Sequence, residues 1–204
     1  MSNSKKTKPP EPMSIGRELK RKSIHLAMII VPAWYYFMPS PWGVLGLIIA
    51  MTVTVIFDLL RLSDDRIKRF FLHLFRSLIR SHEEEHLLGS THFMIAALIS
   101  VLVFDKMVAV SALSFLVIGD TAAAVIGKRF GKKLFWGKSL AGSSACFVSC
   151  LLIGFVLLTN QWVILAGALA ATIVEALPVP MDDNMRVPIA SGLIMQLVMK
   201  LTQG

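Results

Sequence analysis

The sequence predicts an all-α fold: a polytopic transmembrane helix bundle of about seven spans, with one amphipathic helix lying on the membrane surface. Two observations carry this. The chain is unusually apolar, with 55% hydrophobic and 17% charged residues over 204 positions and a mean hydropathy of +0.67. Its cations also fall almost wholly on alternate connections between the apolar runs. A soluble domain of this length does not carry so many apolar runs, and a helix needs about 20 residues to cross about 30 Å of hydrocarbon.

The runs are Ile24–Met38, Trp42–Leu60, Leu87–Phe104, Met107–Ile126, Ser139–Leu158, Trp162–Leu177 and Val187–Leu201. Several are short for a span, which a thin local bilayer or ends buried in protein would accommodate. Six spans with one re-entrant run is the competing count. Residues 1–15, rich in Lys, Pro and Ser, read as a disordered basic tail, and residues 16–204 as one integral-membrane catalytic domain. No small-residue cleavage site follows the first run, so it does not read as a cleaved signal.

Seven Lys and Arg precede the first run, six lie between the second and third, five in the segment 128–138, and Arg186 precedes the last. That places nineteen of the 21 on one side, with Lys106 and Lys200 opposite. The positive-inside rule then puts the N-terminus and these connections in the cytoplasm. The formal charge of +8 reflects topology and anionic headgroups. No aromatic-basic nucleic-acid module appears, so no nucleic-acid partner is expected. The membrane is the cell inner membrane in a bacterium or the endoplasmic reticulum in a eukaryote.

Between the second and third runs, Ile67, Phe70, Phe71, Leu74, Phe75, Leu78 and Ile79 recur at helical spacing, with the cations mainly elsewhere. This predicts an amphipathic helix over 64–80 lying on the inner leaflet. Cys146 and Cys150, four apart in one span, read as small packing residues.

An ionisable group inside a span costs about 2.5–3.5 kcal/mol on insertion scales, so each needs a partner or a task. All but Asp105 lie at the cytoplasmic ends of their helices. In GRELKRKSIH, Glu18, Arg21, Lys22 and His25 share one helical face. Asp58 and Arg61 form an i, i+3 pair ending the second run. Asp120 shares a face with Ala123, Ala124 and Gly127, and Glu175 shares one with Ala168, Ala171 and Thr172. Small residues beside an acid let a backbone or a ligand approach closely. Asp182, Asp183 and Asn184 sit in a short loop before Pro188; their hard oxygens suit Mg²⁺ shared with phosphates, although a plain Asp-Asn turn fits too.

Two short patterns mislead. HEEEH at His82–His86 matches the zinc-protease pattern but has no evident third ligand, and reads instead as a charged helix end contributing one acid. GKRFGKKLFWGKS, from Gly127, resembles a phosphate loop, but Lys132 stands where a true P-loop has its first glycine.

Taken together, RELKRKSIH, RSHEEEHLLGSTHF, GDTAAAVIGKRFGKK, GKSLAGS and EALPVPMDDNMRVP resemble, in order and spacing, the family of CTP-dependent lipid-alcohol kinases. That family includes dolichol kinase, phytol kinase and the yeast-type diacylglycerol kinase with its bacterial relatives. The resemblance runs from Arg17 to Gly192. It implies transfer of the γ-phosphoryl group of CTP, with Mg²⁺, to the hydroxyl of a membrane lipid. By position it carries over Arg21, Lys22, Thr91, Gly127, Lys128, Gly131, Lys138, Ser139, Gly142, Ser143 and Asn184 as nucleotide contacts. Asp120, Glu175 and Asp183 become metal ligands, and Glu18, Arg61, Glu83 and Asp182 further polar site residues. His25, Asp58 and Asp120 are the candidates for the base that takes the hydroxyl proton.

One departure is Ala141, where the resemblance implies a glutamate; Glu83 or Glu175 would then supply that acid. Two other readings compete: a phosphatidate cytidylyltransferase, whose dense Lys-Arg, Lys-Asp and Gly-His-Gly-Gly-Asp-Arg signature is absent, and a small transporter, which should show repeat symmetry and midplane charges.

Overall fold

A computed structural model describes residues 15–76, 78–79, 81–132 and 138–203. Its helices are α1 (Ile15–Ala27), α2 (Ile30–Phe37), α3 (Trp42–Ser63), α4 (Asp65–Phe75), α5 (Gly89–Val103), α6 (Lys106–Ser114), α7 (Asp120–Phe130), α8 (Leu140–Leu157), α9 (Gln161–Ala176) and α10 (Asp183–Gln203). A 3₁₀ turn, Ser81–Glu84, precedes α5, and a π-helical turn, Phe115–Gly119, joins α6 to α7 in one rod.

Among the described residues, three helices are long and apolar enough to cross a membrane: Trp42–Ser63, Lys106–Phe130 and Leu140–Leu157. Gly89–Val103 and Gln161–Ala176 are shorter apolar helices. With α10 they form a helical membrane bundle. The rod Lys106–Phe130 is its axis: Val108, Ala109, Ala112, Leu113, Phe115, Leu116 and Val117 are wholly buried. The principal packing pairs are α9 with α10, α7 with α8, α8 with α9, α5 with α10, and α3 with α5. Large apolar side chains such as Val53, Leu152, Phe155 and Val156 face outward, as a surface meeting lipid requires.

The first apolar run is not one continuous helix. Pro32 has no N–H to return to Met28, and i→i+3 bonds (Met28 N to His25 O, 3.1 Å; Ile29 N to Leu26 O, 3.1 Å) break it between α1 and α2. The amphipathic helix is also shorter than expected, ending at Phe75 rather than residue 80. Asp64 starts it by accepting from Arg66 N at 2.6 Å and Ile67 N at 3.4 Å. Residues 1–14 and Arg80 lie outside the described residues, so the tail expectation and the last cation of this connection do too.

The two ends of the bundle differ in chemistry. At one end, Gln196 Nε2 donates to Asp105 Oδ2 at 2.6 Å, Asp105 N donates to Gln196 Oε1 at 2.8 Å, and Lys106 Nζ donates to Met38 O at 3.1 Å. These bonds occupy Asp105, the span residue read from sequence as lying away from the cytoplasmic helix ends. Among the described residues, Asp120, Glu175 and Asp183 meet around one cavity at the opposite end, where α9 finishes and α8 and α10 begin.

Candidate active site

A cavity of ≈ 380 Å³ opens at this end among α1, α7, α8, α9 and α10. Among the described residues its lining combines four cations, Arg21, Lys22, Lys128 and Lys138, with three carboxylates, Asp120, Glu175 and Asp183. Lys22 is almost wholly buried, and its ammonium pairs with Asp120 from α1 across to α7. His25, one turn along, brings Nε2 to 3.3 Å from the same carboxylate oxygen. The π-helical turn ends immediately before Asp120. One extra residue in a helical turn rotates everything after it by about 100°, so this turn sets which way Asp120 faces. The turn is backed by α8: a Cβ on Gly119 would stand 3.0 Å from both Cys146 Sγ and Cys150 Sγ.

Opposite Asp120, Lys138 pairs with buried Glu175, and its Nζ lies 4.0 Å from Asp183 Oδ2. Asp183 is the first residue of α10, not a loop residue, and Arg186 one turn later donates Nε to its Oδ1 at 2.8 Å. Among the described residues no three His, Cys, Asp or Glu side chains converge to hold a metal. Asp120 instead pairs with Lys22 and approaches His25, while Glu175 and Asp183 meet Lys138. The pair itself fits Mg²⁺, which commonly takes one or two carboxylates and completes its shell with phosphate and water. The Lys138 ammonium already occupies cationic space between them.

The glycines of this region act through close approach. A Cβ on Gly142 would lie 2.8 Å from Ala123 O, and one on Gly127 2.8 Å from Ser139 Oγ. The end of α7 thus packs directly on the start of α8. Ser139 caps α8, its Oγ accepting from Gly142 N at 3.1 Å. The cavity wall here is a helix N-terminus flanked by lysines, a setting that favours anions.

A second cavity, ≈ 450 Å³ and mainly apolar, lies among α1, α3, α4 and the start of α5. Val53, Phe57, Phe71 and Phe75 are among its apolar walls; Glu83, Gly89, Ser90, Thr91, Asn184 and Arg21 form the polar part. Arg21 lines both cavities, and consecutive residues Asp183 and Asn184 line one each. Beneath it is a buried clamp. Asp58 accepts from Arg61 Nε (2.8 Å), Leu88 N (2.7 Å) and Thr91 Oγ1 (2.8 Å), while Arg61 donates to Glu83 O (3.0 Å) and His86 O (2.6 Å). The Arg61 guanidinium also lies 5.5 Å from the Phe71 ring centroid, tying α4 to the clamp.

The structure brings Arg21, Lys22, Asp120, Gly127, Lys128, Gly131, Lys138, Ser139, Gly142, Ser143, Glu175 and Asp183 around one cavity. It places Thr91 and Asn184, read from sequence as nucleotide contacts, on the apolar cavity instead. Asp58 and Arg61 line neither, and each is spent on the clamp. His25 lies behind Asp120 rather than on a wall. Asp182 accepts from Asn184 N at 2.9 Å. Sequence reading gave no role to Arg186, though its i+3 spacing from Asp183 marks it, nor to the α3–α4 aromatics as a groove. The side chains of Glu18 and His82 lie outside the described residues, as does Lys133.

With this geometry in place, known proteins supply the identification. A protein of Rickettsia prowazekii of uncharacterized function is 30% identical over 184 residues, spanning 85% of this chain and 90% of the relative. A probable chloroplastic phytol kinase of Triticum aestivum is 36% identical over 143 residues, 59% of this chain and 48% of the relative. The CTP-dependent diacylglycerol kinase 1 of Schizosaccharomyces pombe is 26% identical over 208 residues, 89% of this chain and 94% of the relative. The chain belongs to the CTP-dependent lipid kinase family. It spans about half the length of the wheat relative and nearly all of the fission-yeast one. No family model matches, and no solved structure does. As a member of this family the protein is a lipid kinase embedded in a membrane.

Proposed function

We propose that the protein transfers the γ-phosphoryl group of CTP to the hydroxyl of a lipid alcohol, in a Mg²⁺-dependent reaction at the cytoplasmic mouth of the bundle. The acceptor class is a diacylglycerol, a polyprenol such as dolichol, or phytol. The observation that carries this reading is the junction of a cation-lined cavity with an apolar one at Arg21. Phosphoryl transfer rests mainly on such positioning and charge neutralisation. In this reading Arg21, Lys22, Lys128 and Lys138 face the triphosphate, and the amides at the start of α8 add partial positive charge. Asp120 holds Lys22 in place. Glu175 and Asp183 would hold Mg²⁺, which when bound neutralises charge on the β- and γ-phosphates. The excess of cations at this end supports a cytoplasmic orientation.

The test is transfer from γ-labelled CTP and γ-labelled ATP, in purified membranes, to diacylglycerol, undecaprenol, dolichol and phytol. A labelled lipid phosphate with CDP as co-product is expected, from CTP in preference to ATP. Pyrophosphate release with a CDP-lipid would replace this reading by a cytidylyltransferase, and absence of any labelled lipid would overturn it.

A further inference from the structure

Resting on that reading, we propose that the apolar cavity is the acceptor groove for an uncharged long-chain alcohol, and that Glu83 receives the proton of its hydroxyl. The groove adjoins the triphosphate cavity twice, through Arg21 and through the step from Asp183 to Asn184. Its apolar wall includes Val53 and Phe75, which are also exposed on the outer surface, so a chain dissolved in the bilayer has a route in.

Glu83 is the only acid among the described residues lining this groove. Its Oε1 accepts from Gly89 N at 2.9 Å, which fixes the carboxylate at the polar end. Gly89 permits the arrangement: a Cβ there would stand 3.1 Å from Glu83 Oε1 and 2.6 Å from Asn184 Nδ2. None of the other candidate bases lines this groove. Asp120 is paired with Lys22 and lines only the triphosphate cavity, Asp58 is saturated within the clamp, and His25 lines neither cavity. A carboxylate at the polar end also repels an anionic headgroup, which selects an alcohol over a lipid phosphate.

In the step itself the lipid oxygen bonds to the γ-phosphorus as its proton passes to Glu83. The bond from that phosphorus to the β–γ bridging oxygen breaks, and the electron pair leaves with the nucleoside diphosphate. Glu83 then returns the proton to water.

Glu83→Gln separates this role from a structural one, because glutamine still offers an oxygen to Gly89 N. Its kcat is expected to fall about 100-fold or more with KM for CTP within about threefold, while Glu83→Asp retains measurable turnover. Near-normal kcat in Glu83→Gln would overturn the proton role. Site is tested apart from turnover by photolabelling the full chain in nanodiscs with hexadecanol carrying a mid-chain diazirine. Label is expected on α3 and on residues 71–79, reduced severalfold by Thr54→Trp and unchanged by Glu83→Gln. Label elsewhere would overturn the groove even if CTP still phosphorylates lipid. Label in the groove without phosphoryl transfer from CTP would instead sink the kinase reading and the Glu83 role, leaving the groove.

Discussion

Lys22 and Asp120, 98 residues apart, form a largely buried ion pair that ties the first helix to the axis of the bundle. Removing one partner of such a pair leaves an uncompensated charge and costs about 3–5 kcal/mol. Asp120→Asn is therefore expected to lower the melting temperature in detergent and abolish lipid phosphorylation. Adding Lys22→Met should restore much of the melting temperature but none of the activity, because the phosphate-facing ammonium is gone as well. A double variant with normal turnover would refute the assignment.

Glu175 and Asp183 flank the Lys138 ammonium and are the carboxylates assigned to Mg²⁺. Glu175→Gln and Asp183→Asn are each expected to raise the Mg²⁺ concentration for half-maximal activity by about tenfold or more. A Mg²⁺ titration of labelled-phosphate transfer checks this. An unchanged midpoint in both variants would remove the metal role from this pair.

Arg61 holds its loop through a guanidinium fork that no ammonium reproduces. Arg61→Ala strands buried Asp58 and should cost about 3–5 kcal/mol. Arg61→Lys should rescue little of it. Limited proteolysis after Glu84 or Glu85 reads out release of the loop. By contrast, His86→Ala should leave turnover unchanged, since Arg61 uses the backbone carbonyl at that position, and zinc-dependent activity lost in that variant would revive the zinc-protease reading of His82–His86.

Gly119 sits where the π-helical turn meets the two cysteines of α8. Gly119→Ala forces the helices apart and is expected to cost about 1–3 kcal/mol. It should also lower turnover by rotating Asp120 away from Lys22. Adding Cys146→Ala and Cys150→Ala makes room and should recover part of both losses, as a melting curve and a transfer assay would show.

The sequence by itself determined the helical membrane class, because apolar runs and their charged connections obey one-dimensional rules of hydrocarbon thickness and charge. It also marked most of the polar-cavity residues, since an acid at the end of an apolar helix stands out against its neighbours. Asp58 and Asp120 look alike in that light. Only the tertiary structure decided that Asp58 is consumed by Arg61, Thr91 and Leu88 N while Asp120 faces the cavity with Lys22. The break at Pro32 and the phase of the π-helical turn were settled there too, as was the division of Asp183 and Asn184 between two cavities. These depend on which helices meet and at what rotation, a property of packing that spacing along the chain does not encode.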